Sequence, residues 1–332
     1  MPRLVRFHET GAPEVLRIED LPSRAPGEGE VRIRVRAIGL NRAEAMFRAG
    51  QYLEAPQLPS GLGYEAAGVV DAIGPGVTGF APGQAVSTIP AFSMAQYGMY
   101  GEEVITPVHA VVAHPDSLSF TDAAACWMQY LTAWGALVDI AELRAGDAVL
   151  VPAASSSVGL AAIQICAAAG AKPIALTRSG AKQAALEQAV PGVPVIRTGE
   201  QDLIAEVNRL TNGKGARIAF DPVGGPTVEK LAAALAPGGI LFEYGALSPD
   251  PTPFPLFAAL GKGLTMRGYT LFEISRDPAR LEAGKRFVLD GLAAARFKPV
   301  IARFFRFDEI VAAHRYLESN EQVGKIVVTV GD

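Results

Sequence analysis

The sequence predicts an α/β protein in two domains, a barrel-like β domain followed by a doubly wound parallel sheet. Residues 1–115 contain short apolar or alternating runs separated by clusters of Gly, Pro, Asn and Asp. Residues 148–244 instead alternate short apolar strands with helices. The length of 332 residues is that of about two domains.

The β domain is predicted from its turn spacing. Strands are expected at residues 31–38, 67–73, 84–89 and 109–113, with turn segments such as APGEGE and GPGVTGFAPGQ between them. Many short strands with frequent turns are typical of a sandwich or barrel.

The second domain is predicted from helices that lie between buried strands. A helix over residues 120–137, with Thr121 or Asp122 as its N-cap, leads into it. The expected strands are 148–154, 173–176, 193–196, 217–221 and 239–244. The expected helices are 158–169, 181–188, 202–210 and 227–235.

The tail is expected to return to the first domain. It contains a helix at 278–290, a strand at 300–307, a helix at 308–319 capped by Asp308, and a strand at 325–330.

Composition excludes several classes of protein. The chain is 49% hydrophobic and 19% charged with a net charge of −4, so no basic field attracts nucleic acid or anionic lipid. We find no signal-peptide pattern and no uncharged apolar run of about 18 residues, and we therefore expect a cytoplasmic protein without a membrane contact. Cys126 and Cys166 lie in apolar helical patterns and are interpreted as buried thiols, with a disulfide as the alternative.

The segment AVLVPAASSSVGLAAIQ has the form strand, small-residue turn, helix. Small residues allow close approach of a pyrophosphate, and the helix N-terminus offers free N–H groups. The turn is formed by Ser155, Ser156, Ser157, Val158 and Gly159. Serines replace the usual glycines, so an ordinary strand-to-helix turn is the alternative.

The next strand ends in Thr177-Arg178-Ser179, with Lys182 shortly after. A site for NAD would place Asp or Glu here to bind the ribose hydroxyl, and none is present. Arg178 and Lys182 are suited to a 2′-phosphate, which predicts NADPH. A solvated basic loop is the alternative.

Several segments in order resemble the zinc-free, quinone oxidoreductase-like branch of the medium-chain dehydrogenase/reductase superfamily. They are GLNRAEAMFRAGQY, GYEAAGVV, GPGVTGFAPGQAV, QYLTAWGAL, DPVGG, LAPGGILFEYGALS and VGKIVV. The resemblance covers nearly the whole chain. It implies a GroES-like domain from residues 1–123 and 268–332, and a Rossmann NADPH-binding domain from residues 124–267.

The resemblance also implies roles for individual residues around a cleft between the two domains. Asn41 and Thr132 are expected beside the nicotinamide, and Ser156, Ser157 and Val158 at the pyrophosphate. The remaining expected cofactor contacts are Arg178, Ser179, Lys182, Thr198, Gly224, Tyr244, Gly245, Leu247, Asn320 and Lys325.

Zinc-dependent relatives place Cys and His where this chain has Asn41 and Tyr64. The remaining carboxylates, Glu44 and Glu65, make a poor zinc site without His or Cys. The four histidines have no ligand spacing and are expected at the surface or at strand ends: His8, His109, His114 and His314. We therefore predict no metal.

Without a Lewis acid, reduction of a quinone or an activated C=C bond is easier than alcohol oxidation. Tyr52 is the expected proton donor, with Tyr64 and Asn41 as further catalytic candidates; packing is the alternative for both tyrosines. Arg267 is expected either to bound the substrate pocket or to lie at the surface or at an interface. The pocket is expected to be apolar, with Met46, Phe47, Phe92, Met94, Tyr97, Met128, Phe254 and Phe257 as candidate lining residues.

The predicted function is reduction of a small hydrophobic quinone or enone by NADPH. Alternatives are an enoyl reductase or alcohol dehydrogenase of a specific pathway, and a non-catalytic NADPH-binding protein. A homodimer is expected through an edge strand at residues 264–272.

Overall fold

The computed structural model describes residues 1–115 and 118–331. The chain divides into two compact units. The first unit is Met1–Met128 with the tail from Pro299, and the second is Gln129–Lys298. Residues 268–298, which the sequence had assigned to the first domain, lie in the second unit.

Fifteen strands are present in the described part of the chain. They are β1 Arg3–Arg6, β2 Arg17–Asp20, β3 Glu30–Leu40, β4 Glu65–Ile73, β5 Ala85–Thr88, β6 Glu103–Pro107, β7 Val111–Ala113, β8 Ala148–Val151, β9 Lys172–Thr177, β10 Val195–Arg197, β11 Ala216–Asp221, β12 Leu235–Glu243, β13 Thr265–Gly268, β14 Ile301–Arg306 and β15 Lys325–Thr329.

Eleven α-helices accompany them in the same residues. They are α1 Arg42–Arg48, α2 Phe120–Ala123, α3 Trp127–Trp134, α4 Ser157–Ala168, α5 Gln183–Ala189, α6 Leu203–Thr211, α7 Thr227–Ala234, α8 Leu256–Lys262, α9 Phe272–Ser275, α10 Pro278–Ala293 and α11 Ile310–Ser319.

The first unit is a mainly antiparallel β structure. Its seven-stranded sheet has the order β14-β15-β3-β4-β5-β7, with β6 also paired to β3. The long central strand β3 alternates between buried and less buried residues along its first half, as a sheet with one covered face requires. The tail strand β15 pairs antiparallel with β3, which confirms that the tail returns to this unit.

The second unit is a six-stranded parallel sheet of order β10-β9-β8-β11-β12-β13. The order reverses beside β8, as in a doubly wound dinucleotide-binding sheet. Residues such as Leu150, Ile174, Leu176 and Ile196 are buried on three neighbouring strands and form part of one core cluster. This confirms the predicted α/β fold class, with a doubly wound parallel sheet in the second unit.

The predicted helix over residues 120–137 is interrupted. It is divided into α2 and α3, and a wider π-helical turn, Gly135–Ile140, follows. The cap of α2 is Ser119, whose hydroxyl accepts from the Asp122 N–H at 3.1 Å, so both predicted caps were wrong. The backbone near Ala124 packs tightly on β3: a Cβ at Gly39 would lie 1.9 Å from the Ala124 carbonyl oxygen.

Two further expectations were wrong. Asp308 does not cap α11, because a short 3₁₀ turn, Phe307–Glu309, precedes that helix and the Asp308 carboxylate pairs with Arg306 at 3.1 Å. His314 is not a surface residue but is fully buried, and its Nδ1 lies 2.9 Å from Arg48 Nη1. Burial, reinforced by Arg48, lowers the pKa of His314 to about 3.

Cys126 and Cys166 are buried and unbonded to one another, as expected. Within residues 1–115 and 118–331, no helix has the length and apolar character needed to cross a membrane.

Candidate active site

Three neighbouring strands of the first unit bring polar side chains together at one edge. Asn41 follows β3, Glu65 begins β4 and Lys325 begins β15. The antiparallel registers pair Gly39 with Glu65 and Leu40 with Ile326, which aligns the three positions. The Lys325 ammonium donates to Asn41 Oδ1 at 2.5 Å and to Glu65 Oε2.

Glu44 extends this cluster from the first turn of α1. It accepts from Asn41 N at 2.5 Å, from Asn41 Nδ2 at 3.1 Å and from Tyr64 N at 3.1 Å. Burial raises the pKa of Glu44 to about 7, although Lys325 opposes the rise. Near neutral pH this carboxyl therefore exists in both protonation states.

The acceptor oxygens of the cluster are already engaged by N–H donors. Glu65 Oε1 accepts from Met128 N at 2.9 Å, and Asn41 Nδ2 donates to Glu65 Oε2 at 3.0 Å. All four clustered side chains are buried. The described residues contain no group of three or more His, Cys, Asp or Glu that could hold a metal ion.

The two predicted catalytic tyrosines lie next to each other in the first unit. The ring centroids of Tyr52 and Tyr64 are 6.5 Å apart, and their hydroxyls are hydrogen-bonded. The Tyr64 hydroxyl also contacts Glu54 Oε1 at 3.2 Å. Burial raises the pKa of Tyr52 to about 12 and raises that of Tyr64 further, so both phenols are protonated at neutral pH. Sequence reasoning missed Glu54, which has no motif.

The predicted pyrophosphate turn of the second unit connects β8 to α4. Ser156 is the N-cap of this helix, and its hydroxyl accepts from Gly159 N at 3.0 Å. Gly159 is required here, since a Cβ would lie 2.8 Å from the Ala153 carbonyl oxygen. Ser157 and Val158 occupy the first helical positions, where backbone N–H groups lack partners within the helix.

The loop after β9 approaches this turn. Lys182 Nζ lies 3.4 Å from Ser155 Oγ, and Arg178 is exposed nearby in sequence. Ser179, also exposed, precedes the 3₁₀ turn Gly180–Lys182. Of the two predicted basic residues, Lys182 therefore contacts the turn between β8 and α4.

Sequence reasoning missed Arg197, at the end of β10. A Cβ at Gly180 would lie 3.9 Å from Arg197 Nη1, so the two loops are adjacent. Arg197 pairs with Glu200 at 3.1 Å, and Glu200 also accepts from Gly180 N at 3.2 Å. The segments LTRSG and VIRTG repeat one pattern on adjacent strands, which was the available signal. Thr198, a predicted adenosine contact, donates its hydroxyl to the Thr177 carbonyl at 3.2 Å.

The turn that follows β11 is organised by Asp221. Its carboxylate accepts from Val223 N at 2.8 Å and from Gly224 N at 3.2 Å, and Gly224 has a φ of 65°. The parallel register pairs Asp221 with Glu243, and their carboxyls are hydrogen-bonded. Burial raises the pKa of Asp221 to about 6, and burial with the Asp221 charge raises that of Glu243 to about 8. The sequence did not predict this pair.

The segment after β12 contains three predicted cofactor contacts. The Tyr244 ring stacks on Phe220 with centroids 4.0 Å apart. Gly245 leaves no room for a side chain, because a Cβ would lie 2.6 Å from the Pro222 carbonyl oxygen. Leu247 is 39% exposed.

The other predicted residues lie in varied settings. Thr132 is buried on α3. Asn320 ends α11 in a left-handed conformation with φ of 58°, and its Oδ1 accepts from Arg42 at 2.5 Å. Arg267 pairs with Glu273 within the second unit.

The predicted apolar lining residues differ in burial. Phe47 is buried in the core of the first unit with its ring against Phe7. Phe92 and Met94 are buried near Tyr64. Phe254 and Phe257 are 61% and 87% exposed, so neither lines an enclosed pocket within its own unit.

Comparison with known proteins shows that the chain is similar to dehydrogenases and quinone oxidoreductases. Residues 27–116 match the alcohol dehydrogenase GroES-like domain, and residues 157–284 match the family described as zinc-binding dehydrogenase. The chain is 33% identical to a quinone oxidoreductase of Pseudomonas aeruginosa, with 99% of both chains covered. It is 29% identical to a 2-haloacrylate reductase of Burkholderia sp, with 97% of both covered.

Solved structures agree with the sequence relatives. The crystal structure of the Escherichia coli quinone oxidoreductase complexed with NADPH superposes with a TM-score of 0.89 at 29% identity, covering 98% of this chain and 99% of that one.

Proposed function

Because the chain belongs to the quinone oxidoreductase-like branch of the medium-chain dehydrogenase/reductase superfamily, we propose that it reduces quinones or α,β-unsaturated carbonyls with NADPH. The observation that carries the proposal is the phosphate-binding turn with basic side chains beside it. Ser156 caps the 12-residue helix α4, which begins soon after β8, and Lys182 Nζ lies 3.4 Å from Ser155 Oγ in the same turn.

The choice of NADPH over NADH rests on charge. Arg178 and Lys182 follow β9, and Arg197 is the last residue of β10. Glu200 is the carboxylate nearest to them in these loops, and it is engaged by Arg197 and by a backbone N–H. No free carboxylate among these described loop residues replaces the acid that an NAD site uses for the ribose hydroxyl. A 2′-phosphate would meet two or three cations instead.

The residues at the metal position of related enzymes do not fit catalytic zinc. Asn41 and Tyr64 replace soft or nitrogen ligands, and both carboxylates beside them accept several N–H bonds. The Lys325 ammonium already pairs with the Glu65 carboxylate, and a zinc ion would have to displace it. We therefore propose a reaction that is independent of zinc.

NADPH would supply the hydride, and the protein would position the acceptor and provide a proton. Reduction of a conjugated carbonyl leaves negative charge on oxygen, which a hydrogen-bond donor stabilises. Tyr52 is our proposed donor, because its phenol remains protonated and it is half-buried instead of enclosed. Tyr64 would hold the Tyr52 ring and hydroxyl in place.

We also propose a homodimer. Strand β13 is the edge of the parallel sheet, as expected, although it is four residues long and ends at Gly268. The neighbouring helix α8 exposes Leu256, Phe257 and Leu260. A monomeric mass by light scattering would contradict a dimer, and Phe257→Asp should dissociate one that forms.

A nucleotide titration tests the main proposal. NADPH fluorescence should show tight binding with NADH weaker by at least about tenfold, the effect of losing one charged contact. Addition of 9,10-phenanthrenequinone or an enone should then consume NADPH. Tight binding with no consumption by either acceptor would favour a non-catalytic binding protein, and oxidation of an alcohol with NADP⁺ would favour a dehydrogenase.

A further inference from the structure

We propose that Glu54 is the solvent end of a proton relay that runs through the Tyr64 hydroxyl to the Tyr52 hydroxyl. The inference rests on the proposed function, in which Tyr52 gives a proton to the reduced substrate. Its new element is Glu54, a positioning and proton-transfer residue that acts through two tyrosines.

The Glu54 carboxyl is held by donors from two separate segments. Its Oε1 accepts from Met94 N at 2.8 Å and from the Tyr64 hydroxyl at 3.2 Å, and its Oε2 accepts from Ser93 Oγ at 2.5 Å. Three donors on one side chain in a loop indicate a fixed position and not a mobile surface residue. These bonds hold the carboxyl against the Tyr64 hydroxyl.

The three groups form a continuous chain in the first unit. Tyr64 is buried, Tyr52 is half-buried and Glu54 is half-buried. Water thus reaches Glu54 without reaching the Tyr64 ring. Along this chain, a proton that enters from solvent at Glu54 reaches Tyr52 through the Tyr64 phenol.

Each phenol carries a single proton, and this gives the chain a direction. With Glu54 ionised, Tyr64 donates to Glu54 and Tyr52 donates to Tyr64, so the Tyr52 proton points away from any substrate. With Glu54 protonated, both bonds reverse, so that Glu54 donates to Tyr64 and Tyr64 donates to Tyr52. The Tyr52 proton is then free to form a third bond, to the substrate oxygen.

The transfer balances without another reactant. The substrate oxygen, negatively charged after hydride addition, takes the Tyr52 proton; Tyr52 takes the Tyr64 proton, and Tyr64 takes the Glu54 proton. Glu54 then takes a proton from water. The net change is one solvent proton on the product oxygen.

The charge of Glu44 also acts on both tyrosines and adds to the rise in their pKa that burial causes. Its oxygens accept the N–H groups of Asn41 and Tyr64, so they point at backbone and amide donors instead of the phenols. Glu44 therefore affects the energies of the two phenols but does not conduct the proton.

The kinetic test replaces Glu54 with Gln, which keeps the size but cannot carry a proton. The amide oxygen can accept from Met94 N and the Tyr64 hydroxyl, and the amide nitrogen can donate to Ser93 Oγ, which accepts instead of donating. We expect kcat with an enone to fall by about 10- to 100-fold, within the range of a lost acid–base group, with the Kd for NADPH unchanged. Formate or acetate should restore part of the activity of Glu54→Ala, which a purely structural role would not allow. If the wild-type enzyme reduces the enone and Glu54→Gln has the same kcat, the relay is overturned.

The matched control is Glu30→Gln. Glu30 likewise accepts from a tyrosine hydroxyl, Tyr97, at 3.0 Å, and it is a half-buried carboxyl of the same unit. It is not in contact with Tyr52 or Tyr64, so kcat should remain within about twofold of the wild-type value. An equal loss in both variants would assign the effect to general destabilisation.

A second readout does not need turnover and separates this proposal from the proposed function. If the wild-type enzyme consumes no NADPH with either the quinone or the enone, the proposed function is contradicted. The titration of Tyr52 still tests the relay in that case. Burial is the main cause of the raised pKa of Tyr52, and the Glu54 charge raises it further. The Tyr52 signal in NMR spectra of protein with labelled tyrosine rings can be assigned by its loss in Tyr52→Phe. Glu54→Gln should shift the titration of this signal to lower pH, and Glu30→Gln should not. No shift in Glu54→Gln would refute the coupling.

Discussion

The carboxyl pair at the ends of β11 and β12 makes the stability of the second unit depend on pH. We expect Glu243→Gln to stabilise the protein at alkaline pH and to leave its stability near pH 5 almost unchanged. The Gln amide can donate to Asp221 as a protonated Glu243 does, without ever becoming charged.

The sign follows from the two protonation states. Glu243 has an ordinary pKa of 4.5 and a pKa of about 8 in the folded protein, so the folded state binds the extra proton between these values. The stability that depends on this group is present below pH 4.5 and is lost as pH rises towards 8. Gln has no proton to lose and avoids this loss.

The magnitude follows from the same interval. A change from pKa 4.5 to about 8 corresponds to about 5 kcal/mol of unfolding free energy. Because Glu243 is only half-buried, solvent screening reduces this to about 2 kcal/mol. In a unit of this size, 2 kcal/mol shifts Tm by roughly 4–8 °C.

The assay is thermal unfolding at a series of pH values from 5 to 9, with Glu229→Gln as the control. Glu229 is exposed on α7 in the same unit, and among the described residues it has no ion pair. The Tm of Glu243→Gln should exceed that of the wild type increasingly above pH 7. A Tm difference that is constant across the series would refute the proton-sharing pair.

Three further changes test the cofactor turn and the buried cluster. Arg178→Ala should raise the Kd for NADPH about 10- to 100-fold in a fluorescence titration and leave that for NADH unchanged, since only NADPH carries the 2′-phosphate; equal changes for both would remove Arg178 from that role. Ser156→Ala should lower the unfolding free energy by about 1 kcal/mol through loss of the α4 cap, and an unchanged urea midpoint would contradict this. Lys325→Met should lower it by about 3–5 kcal/mol by leaving Glu65 charged and unpaired, and adding Glu65→Gln should restore part of the loss; no restoration would mean that Lys325 stabilises by packing.

Features that depend on short stretches of chain were predictable. The turn from β8 into α4 is a strand, a small-residue turn and a helix in one segment, so its cap and its crowded Gly159 follow from local chemistry. The parallel sheet was predictable for the same reason, since each strand is an apolar run bounded by turn residues.

Features that arise from pairing between distant segments were not predictable in this way. Arg197 reaches the loop of Gly180 because β10 pairs with β9, and Asp221 meets Glu243 because β11 pairs with β12 in that register. His314 looked like a surface residue, but its helix packs against α1 and buries it beside Arg48. No spacing rule in one sequence indicates the contacts of Glu243 and His314, and the repeated pattern of LTRSG and VIRTG was the one signal for Arg197.

The first unit gives a physical reason why a proton donor is needed. The Lys325 charge is engaged by Glu65 and Asn41, and it is fully buried, so it neutralises an internal carboxylate and is not available to a new anion. Glu44 adds a second carboxyl whose pKa of about 7 makes the cluster neutral below that pH and negative above it. A negative oxygen on a substrate therefore gains little from this cluster and, at alkaline pH, is repelled by it. In the proposed reaction, stabilisation of that oxygen is then left to a neutral donor that stays protonated throughout this range, and the phenol of Tyr52 has that property.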